Sequence, residues 1–196
     1  MRPVLELTMG KIRNTIPVKL FIGMLSSEYS LFNECCDALC HVYGPLDLES
    51  ELLVWENTDY YKDEMGANLR RKFIYFKTLM DPIALSGIKV FTNSIEDRLS
   101  CQRGIDKQRR INLDPGYITE AKVVLASTKD YAHRIYIGQN IYAEVTLQYR
   151  LKGKSFIAVE HTYPDFRTQD ACNLFNKARN LLREGLMVAK EGGPEA

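Results

Sequence analysis

RRKFIYFKTLMDPIALSGIKVFTNSIEDRL, residues Arg70 to Leu99, changes periodicity at one sharp boundary. From Arg70 to Met80 the run is aromatic, aliphatic and β-branched, which predicts a strand. Asp81-Pro82 then starts a helix, with a side-chain acceptor followed by a proline whose fixed φ suits the first turn. Behind it Ala84, Leu85, Ile88, Phe91, Ile95 and Leu99 keep one face apolar. A strand feeding an amphipathic helix makes the flanking segments decide the fold.

Upstream, Pro17 to Leu25 (PVKLFIGML) reads as a buried strand. Ser30 offers an N-cap to a helix carrying Leu31, Cys35, Leu39 and Val42 on one side, and Gly44-Pro45 ends it. Leu52 to Tyr61 reads as a second strand, with a turn at Gly66-Ala67-Asn68 before the quoted run. Downstream, Arg110 to Ile118 returns as a strand. The order β-α-β-β-α-β predicts an α+β fold whose first half, residues 17–118, is ferredoxin-like.

The second half, residues 119–190, extends it. Thr119 to Ala126 fits either a short helix capped by Thr119 or a strand. A hairpin turns at Gly138-Gln139-Asn140, with Ile141, Ala143, Val145, Leu147 and Tyr149 on one face. That register sets Ile137 opposite Ile141, Tyr136 opposite Tyr142 and Arg134 opposite Glu144. Strand parity places His133 inward with Ile135 and Ile137. A strand over Ser155 to Thr162 and a helix from Thr168 follow, the helix striped by Ala171, Leu174, Phe175, Ala178, Leu181, Leu182 and Leu186. The 196 residues predict one domain.

Composition narrows the class. A net charge of +1 supplies no polybasic field for non-specific nucleic-acid binding. Five irregularly spaced cysteines fit reduced thiols in a cytoplasmic protein better than a disulfide scaffold. No apolar run is long enough for a membrane span.

DPGYITEAKVVLASTKDYAHRIY, Asp114 to Tyr136, crowds polar chemistry around one short apolar run. Asp114-Pro115-Gly116 is turn chemistry, and a tight bend there makes an anion-friendly corner. Between Cys101 and Arg134 stand seven Lys or Arg against four Asp or Glu, and Arg103, Lys107, Arg109 and Arg110 share one loop. Arg134 is the forked donor for a phosphate and Lys129 the point charge. His133, beside Asp130, is a candidate general base. Tyr117 and Tyr163 offer stacking faces. In HTYPDFR, His161 to Arg167, Arg167 stands ready for Asp165 or a ligand carboxylate.

Other patterns lead elsewhere. Glu56, Asp59, Asp63 and Glu64 are the oxygen ligands that Mg²⁺ prefers, but their spacing matches no loop motif. Cys36 and Cys40 share a helical face while His41 turns away, so no zinc site is expected. Neither a G-x-x-x-x-G-K-[ST] loop nor G-x-G-x-x-G is present.

The run RINLDPGYITEAKVVLASTKDYAHRIYIGQNIYAEVTL (Arg110 to Leu147), followed by TYPDFRT (Thr162 to Thr168), resembles a bacterial and archaeal family of unknown function whose members have about this length. The motif Asp114-Pro115-Gly116-Tyr117 carries the resemblance most clearly. Some members are labelled GTP-binding protein, and the family brings no established activity.

Three functions are compatible with these residues. The leading one binds a nucleotide or an RNA phosphate through Asp114, Tyr117, Lys129, His133, Arg134, Tyr163 and Arg167. The second is Mg²⁺-dependent phosphoryl or phosphodiester chemistry, with Asp114, Glu144 or Asp165 holding the metal and His133 or one of those acids as the base. The third is a protein-docking scaffold with an apolar patch along Tyr136 and Tyr142. No cofactor other than Mg²⁺ enters any of them.

Overall fold

Strand β1 (Val18–Ser26) is buried along its whole length, because both of its faces are covered. Leu20, Ile22 and Met24 enter one apolar core and Phe21 enters another. The alternation that a half-exposed strand would show is accordingly absent. The computed structural model describes residues 14–55, 65, 67–101 and 109–191.

After β1 come α1 (Tyr29–Tyr43), β2 (Leu46–Glu49), the two-residue β3 (Leu53–Val54), β4 (Arg70–Met80), α2 (Leu85–Cys101) and β5 (Ile111–Ile118). The second half adds β6 (Lys122–Ser127), β7 (Ile135–Gly138), β8 (Ile141–Arg150), β9 (Ser155–Ala158) and α3 (Gln169–Glu191). Sheet order is β2-β4-β1-β5-β6-β8-β7, with β3 also on β4 and β9 also on β8. Every pairing is antiparallel. The stretch β2-β4-β1-β5 has the strand order and directions of the ferredoxin-like pattern, so the α+β expectation holds.

Two cores flank the sheet. Helices α1 and α2 bury Leu31, Phe32, Cys35, Leu39, Ile88, Ile95 and Leu99 on one face. Phe175, Ala178 and Leu182 of α3 bury against Phe21, Phe73, Tyr75 and Phe166 on the other. The C-terminal helix thus covers the face that a ferredoxin-like half alone would expose. Asp81 caps the turn into α2, accepting the backbone N–H of Ile83 at 2.9 Å. Among the described residues no helix is long and apolar enough to cross a membrane.

Several local expectations are corrected. Asp114-Pro115-Gly116-Tyr117 is no bend: it lies inside β5, paired to Gly23, Ile22, Phe21 and Leu20 of β1. Ser30 lies within the first turn of α1, whose N-cap is Glu28, and Val42 is 52% exposed. Of the strand expected over Leu52 to Tyr61, only Leu53–Val54 pairs among the described residues, and β2 precedes it. The 119–126 segment is strand, not helix. Residues 56–64, which carry the acidic group, and Arg103 and Lys107 of the basic loop lie outside the described residues.

The 138–140 turn closes in two residues, Gln139 and Asn140, both at positive φ (56° and 58°), and sets Gly138 rather than Ile137 opposite Ile141. Tyr136 does pair with Tyr142. An irregularity then opposes Val123 to Leu147 but Val124 to Val145, leaving Thr146 as the extra residue. Side-chain parity reverses there. Ile141 and Ala143 pack with Leu85 and Ala126, whereas Leu147 and Tyr149 join the α3 core.

Candidate functional site

β5 and β6 pair only through Gly116, Tyr117 and Ile118 against Leu125, Val124 and Val123. Pro115 has no N–H to extend that ladder. Beyond it, Ile111 to Asp114 stay with β1, while Ala126 and Ser127 stay with β8. The unpaired seam opens into a cavity of about 700 Å³. Because the opening interrupts the sheet, elements from both layers reach it: α2 from one face, and Tyr163, Pro164 and Phe166 from the other.

Charge is concentrated there. Among the described residues Arg71, Lys89, Arg109, Lys129 and Arg134 line the cavity, against Glu96, Asp97 and Asp114, five to three, an excess of two positive charges. Just behind this lining stand two further acids, Asp165 and Glu144. They pair with Arg71 and Arg134, respectively, and bring the ensemble close to neutral.

Arg71 is the hinge of the first cluster. Its Nη1 donates to Asp114 Oδ2 at 3.0 Å and its Nη2 lies 2.9 Å from Asp165 Oδ2. The guanidinium lies over the Trp55 ring, 5.0 Å from its centroid. To reach β5 it crosses β1 at Gly23, where a Cβ would stand 3.1 Å from Nη1. Asn112 Nδ2 also donates to Asp114 Oδ2, at 2.7 Å, and accepts on its own Oδ1 from Arg109 at 2.9 Å. Burial alone would raise the Asp114 carboxyl, but Arg71, Lys89 and Asn112 outweigh it and hold it below the usual range. At Asp165 burial wins over Arg71 and pushes the carboxyl up.

The α2 wall works differently. Glu96 Oε1 accepts the Leu113 N–H at 2.7 Å, and Lys89 Nζ donates to the Leu113 carbonyl at 2.7 Å. Burial drives the Glu96 carboxyl up to about 7, with Lys89, the Leu113 N–H and Arg109 pulling against it and Asp114 adding to it. The folded protein therefore holds this proton more tightly than the unfolded chain, whose glutamate titrates near 4.5. The group's contribution is complete below that value and is lost as pH rises through about 7. Wild type should lose about 3 kcal/mol from this source between pH 5 and 8. Urea unfolding at the two pH values checks it: Glu96→Gln should show a correspondingly flatter pH dependence, and equal slopes would refute the assignment.

Arg134 organises the opposite wall. Nε donates to Glu144 Oε2 at 2.7 Å, Nη1 to Ser127 Oγ at 2.7 Å and to the Lys129 carbonyl at 3.0 Å, and Nη2 to the Tyr163 hydroxyl at 2.8 Å. Tyr131 stacks beneath it, 4.7 Å away. The expected pairing of Arg134 with Glu144 is met.

Of the residues singled out in the sequence, Asp114, Lys129, Arg134 and Tyr163 line one cavity, and Glu144 and Asp165 support it. Three do not line it. Tyr117 packs beside Val124, Ala126 and Ile141. Arg167 is used up on the Thr162 and Glu160 carbonyls, both at 2.5 Å. His133 sits beyond Glu144, with Nε2 3.0 Å from Oε2 and its ring stacked on His161 at 4.1 Å. His133 precedes β7, so strand parity does not apply to it, and Ile135, expected on its face, is 69% exposed.

Sequence reading missed Arg71, Lys89, Glu96 and Asn112. The available signal was a charge at a core-facing position, as in Arg71, which follows the same parity as Phe73 and Tyr75.

The candidate donors for Mg²⁺ are each engaged by cations or histidine. Asp114 and Asp165 are bridged by a guanidinium, and Glu144 faces Arg134 and His133. Among the described residues no three His, Cys, Asp or Glu stand close enough to hold a metal ion. Tyr136 and Tyr142 pack edge to face across the hairpin, ring centroids 5.6 Å apart.

No curated protein and no solved structure matches the chain. Residues 16–182 match the model of a domain of unknown function, DUF4416. In keeping with the resemblance read from Asp114-Pro115-Gly116-Tyr117 and its surroundings, the chain belongs to this family of unknown function.

Proposed function

We propose that the cavity at the β5–β6 seam binds a small anionic ligand of about nucleotide size. The observation that carries the reading is the gathering of largely buried Arg, Lys and carboxylate groups around an open cavity. Desolvating so many charges is costly, and a packed apolar seam would serve stability better. Ligand sites are where such charges are ordinarily retained. A volume of about 700 Å³ falls within the range of small-molecule sites, and such a hollow suits one nucleotide better than an RNA strand, which needs an open groove with successive stacking faces.

Calorimetric titration with ATP and with inorganic pyrophosphate at low salt tests the proposal. Both should bind. Lys129→Ala, at an exposed position on the rim, should weaken both by about tenfold, the effect of one charge-assisted hydrogen bond. No heat with either probe, and no thermal shift, would overturn the reading.

A further inference from the structure

Helix α2 carries a polar face toward the cavity besides its apolar one. Leu85, Ile88, Ile95 and Leu99 supply the apolar face. Lys89, Asn93, Glu96, Asp97 and Ser100, at helical spacings of three and four with Glu96 and Asp97 adjacent, all line the cavity on the other. Three of these have internal roles: Lys89 and Glu96 grip the backbone of Leu113, and Ser100 donates to the Glu96 carbonyl at 3.0 Å. Asn93 and Asp97 have no side-chain hydrogen bond or ion pair among the described residues. Both line the cavity.

The opposite wall, residues 127–134, carries only cations as charged groups in the described lining, whereas α2 sets Glu96 and Asp97 beside Lys89. That wall contributes Lys129, Arg134 and the hydroxyl residues Ser127 and Thr128 to the lining, and no carboxylate. An anionic group placed against Asp97 would be repelled, whereas the 127–134 wall attracts it. An ionised carboxylate only accepts hydrogen bonds, and a carboxamide both donates and accepts. The α2 end therefore suits a head group rich in O–H or N–H donors.

The geometry points to a cavity with two chemically distinct ends: the 127–134 wall takes the anionic group, and Asn93 and Asp97 take the donor-bearing head of the same ligand and set its specificity. The ligand class is a phosphorylated polar organic molecule rather than a bare inorganic anion. This rests on the anion-binding reading above.

Titrating ATP and pyrophosphate into Asn93→Ala and Asp97→Ala separates the two ends. Asp97→Ala should weaken ATP by about tenfold and Asn93→Ala by about fivefold, as expected for one charged and one neutral hydrogen bond. Pyrophosphate should bind Asn93→Ala within about twofold of wild type, and Asp97→Ala equally or more tightly, since only a repulsive charge is removed. Asp97 is exposed, so folding should not be disturbed. If both variants bind ATP like wild type, or lose both probes equally, the two-ended assignment is wrong while the anion site stands. If wild type binds neither probe, the anion site fails and this assignment fails with it.

Discussion

Arg71→Ala should lose about 3–5 kcal/mol of folding stability, the usual consequence of removing one member of a buried ion pair. Two carboxylates depend on this guanidinium. Asp165 is 6% exposed, and among the described residues Asp114 keeps only Asn112 as a side-chain hydrogen-bond partner once Arg71 is gone. The stacks on Trp55 and Phe73 vanish as well. For a chain of this length the loss corresponds to a fall in Tm of roughly 10 °C. Protonation of the stranded acids should shrink the deficit at pH 5 relative to pH 8, because a neutral carboxyl tolerates burial better. Adding Asp165→Asn to Arg71→Ala should recover part of the loss. A single variant within about 1 kcal/mol of wild type would mean that water already reaches both acids.

Gly116→Ala should be comparably damaging for a steric reason. A Cβ there would stand 2.4 Å from the Val124 carbonyl oxygen and 2.4 Å from Phe21 Cζ. The first is backbone of the neighbouring strand, in a ladder of only three residue pairs. The second is the tip of a ring held edge-on against Phe175, with centroids 5.0 Å apart. Neither yields without widening the seam or disturbing the α3 core, so a loss of about 3 kcal/mol or more is expected. Phe21→Leu added to Gly116→Ala should restore some stability but not all, since the carbonyl clash persists. Unchanged thermal denaturation of the single variant would show that the strands do not approach this closely.

The same residue explains where sequence reading succeeded and failed. Strand Arg70–Met80 and the Asp81 cap were legible because their signals are local: side-chain type, a capping oxygen and a proline at the first turn. Pro115-Gly116 carries an equally local turn signal and misleads. Here the proline leaves the ladder without a donor, and the glycine supplies space rather than a positive φ. Both uses depend on β6, which is recognisable as a partner only once the chain has folded. The parity reversal at Thr146 is hidden for the same reason, since an irregularity belongs to a pair of strands.

The candidate site divides in the same way. Arg134 and Glu144 are ten residues apart across one hairpin, and alternation is enough to match them. Arg71 and Asp114 meet across β1 through the space left by Gly23, and Lys89 and Glu96 meet the backbone of β5 only because α2 lies over it. Such long-range partners have no trace in spacing. A charged residue in step with buried aromatics was the one visible warning.

The claim that the open β5–β6 seam is the ligand site is tested most directly by titrating ATP into uniformly ¹⁵N-labelled protein and following the backbone amides. Shifts should concentrate at Asn112 to Asp114, at Ser127 to Tyr131 and along Asn93 to Ser100, saturating together. Saturable shifts confined to the Tyr136–Tyr142 hairpin or to α1, with those three segments unmoved, would contradict it.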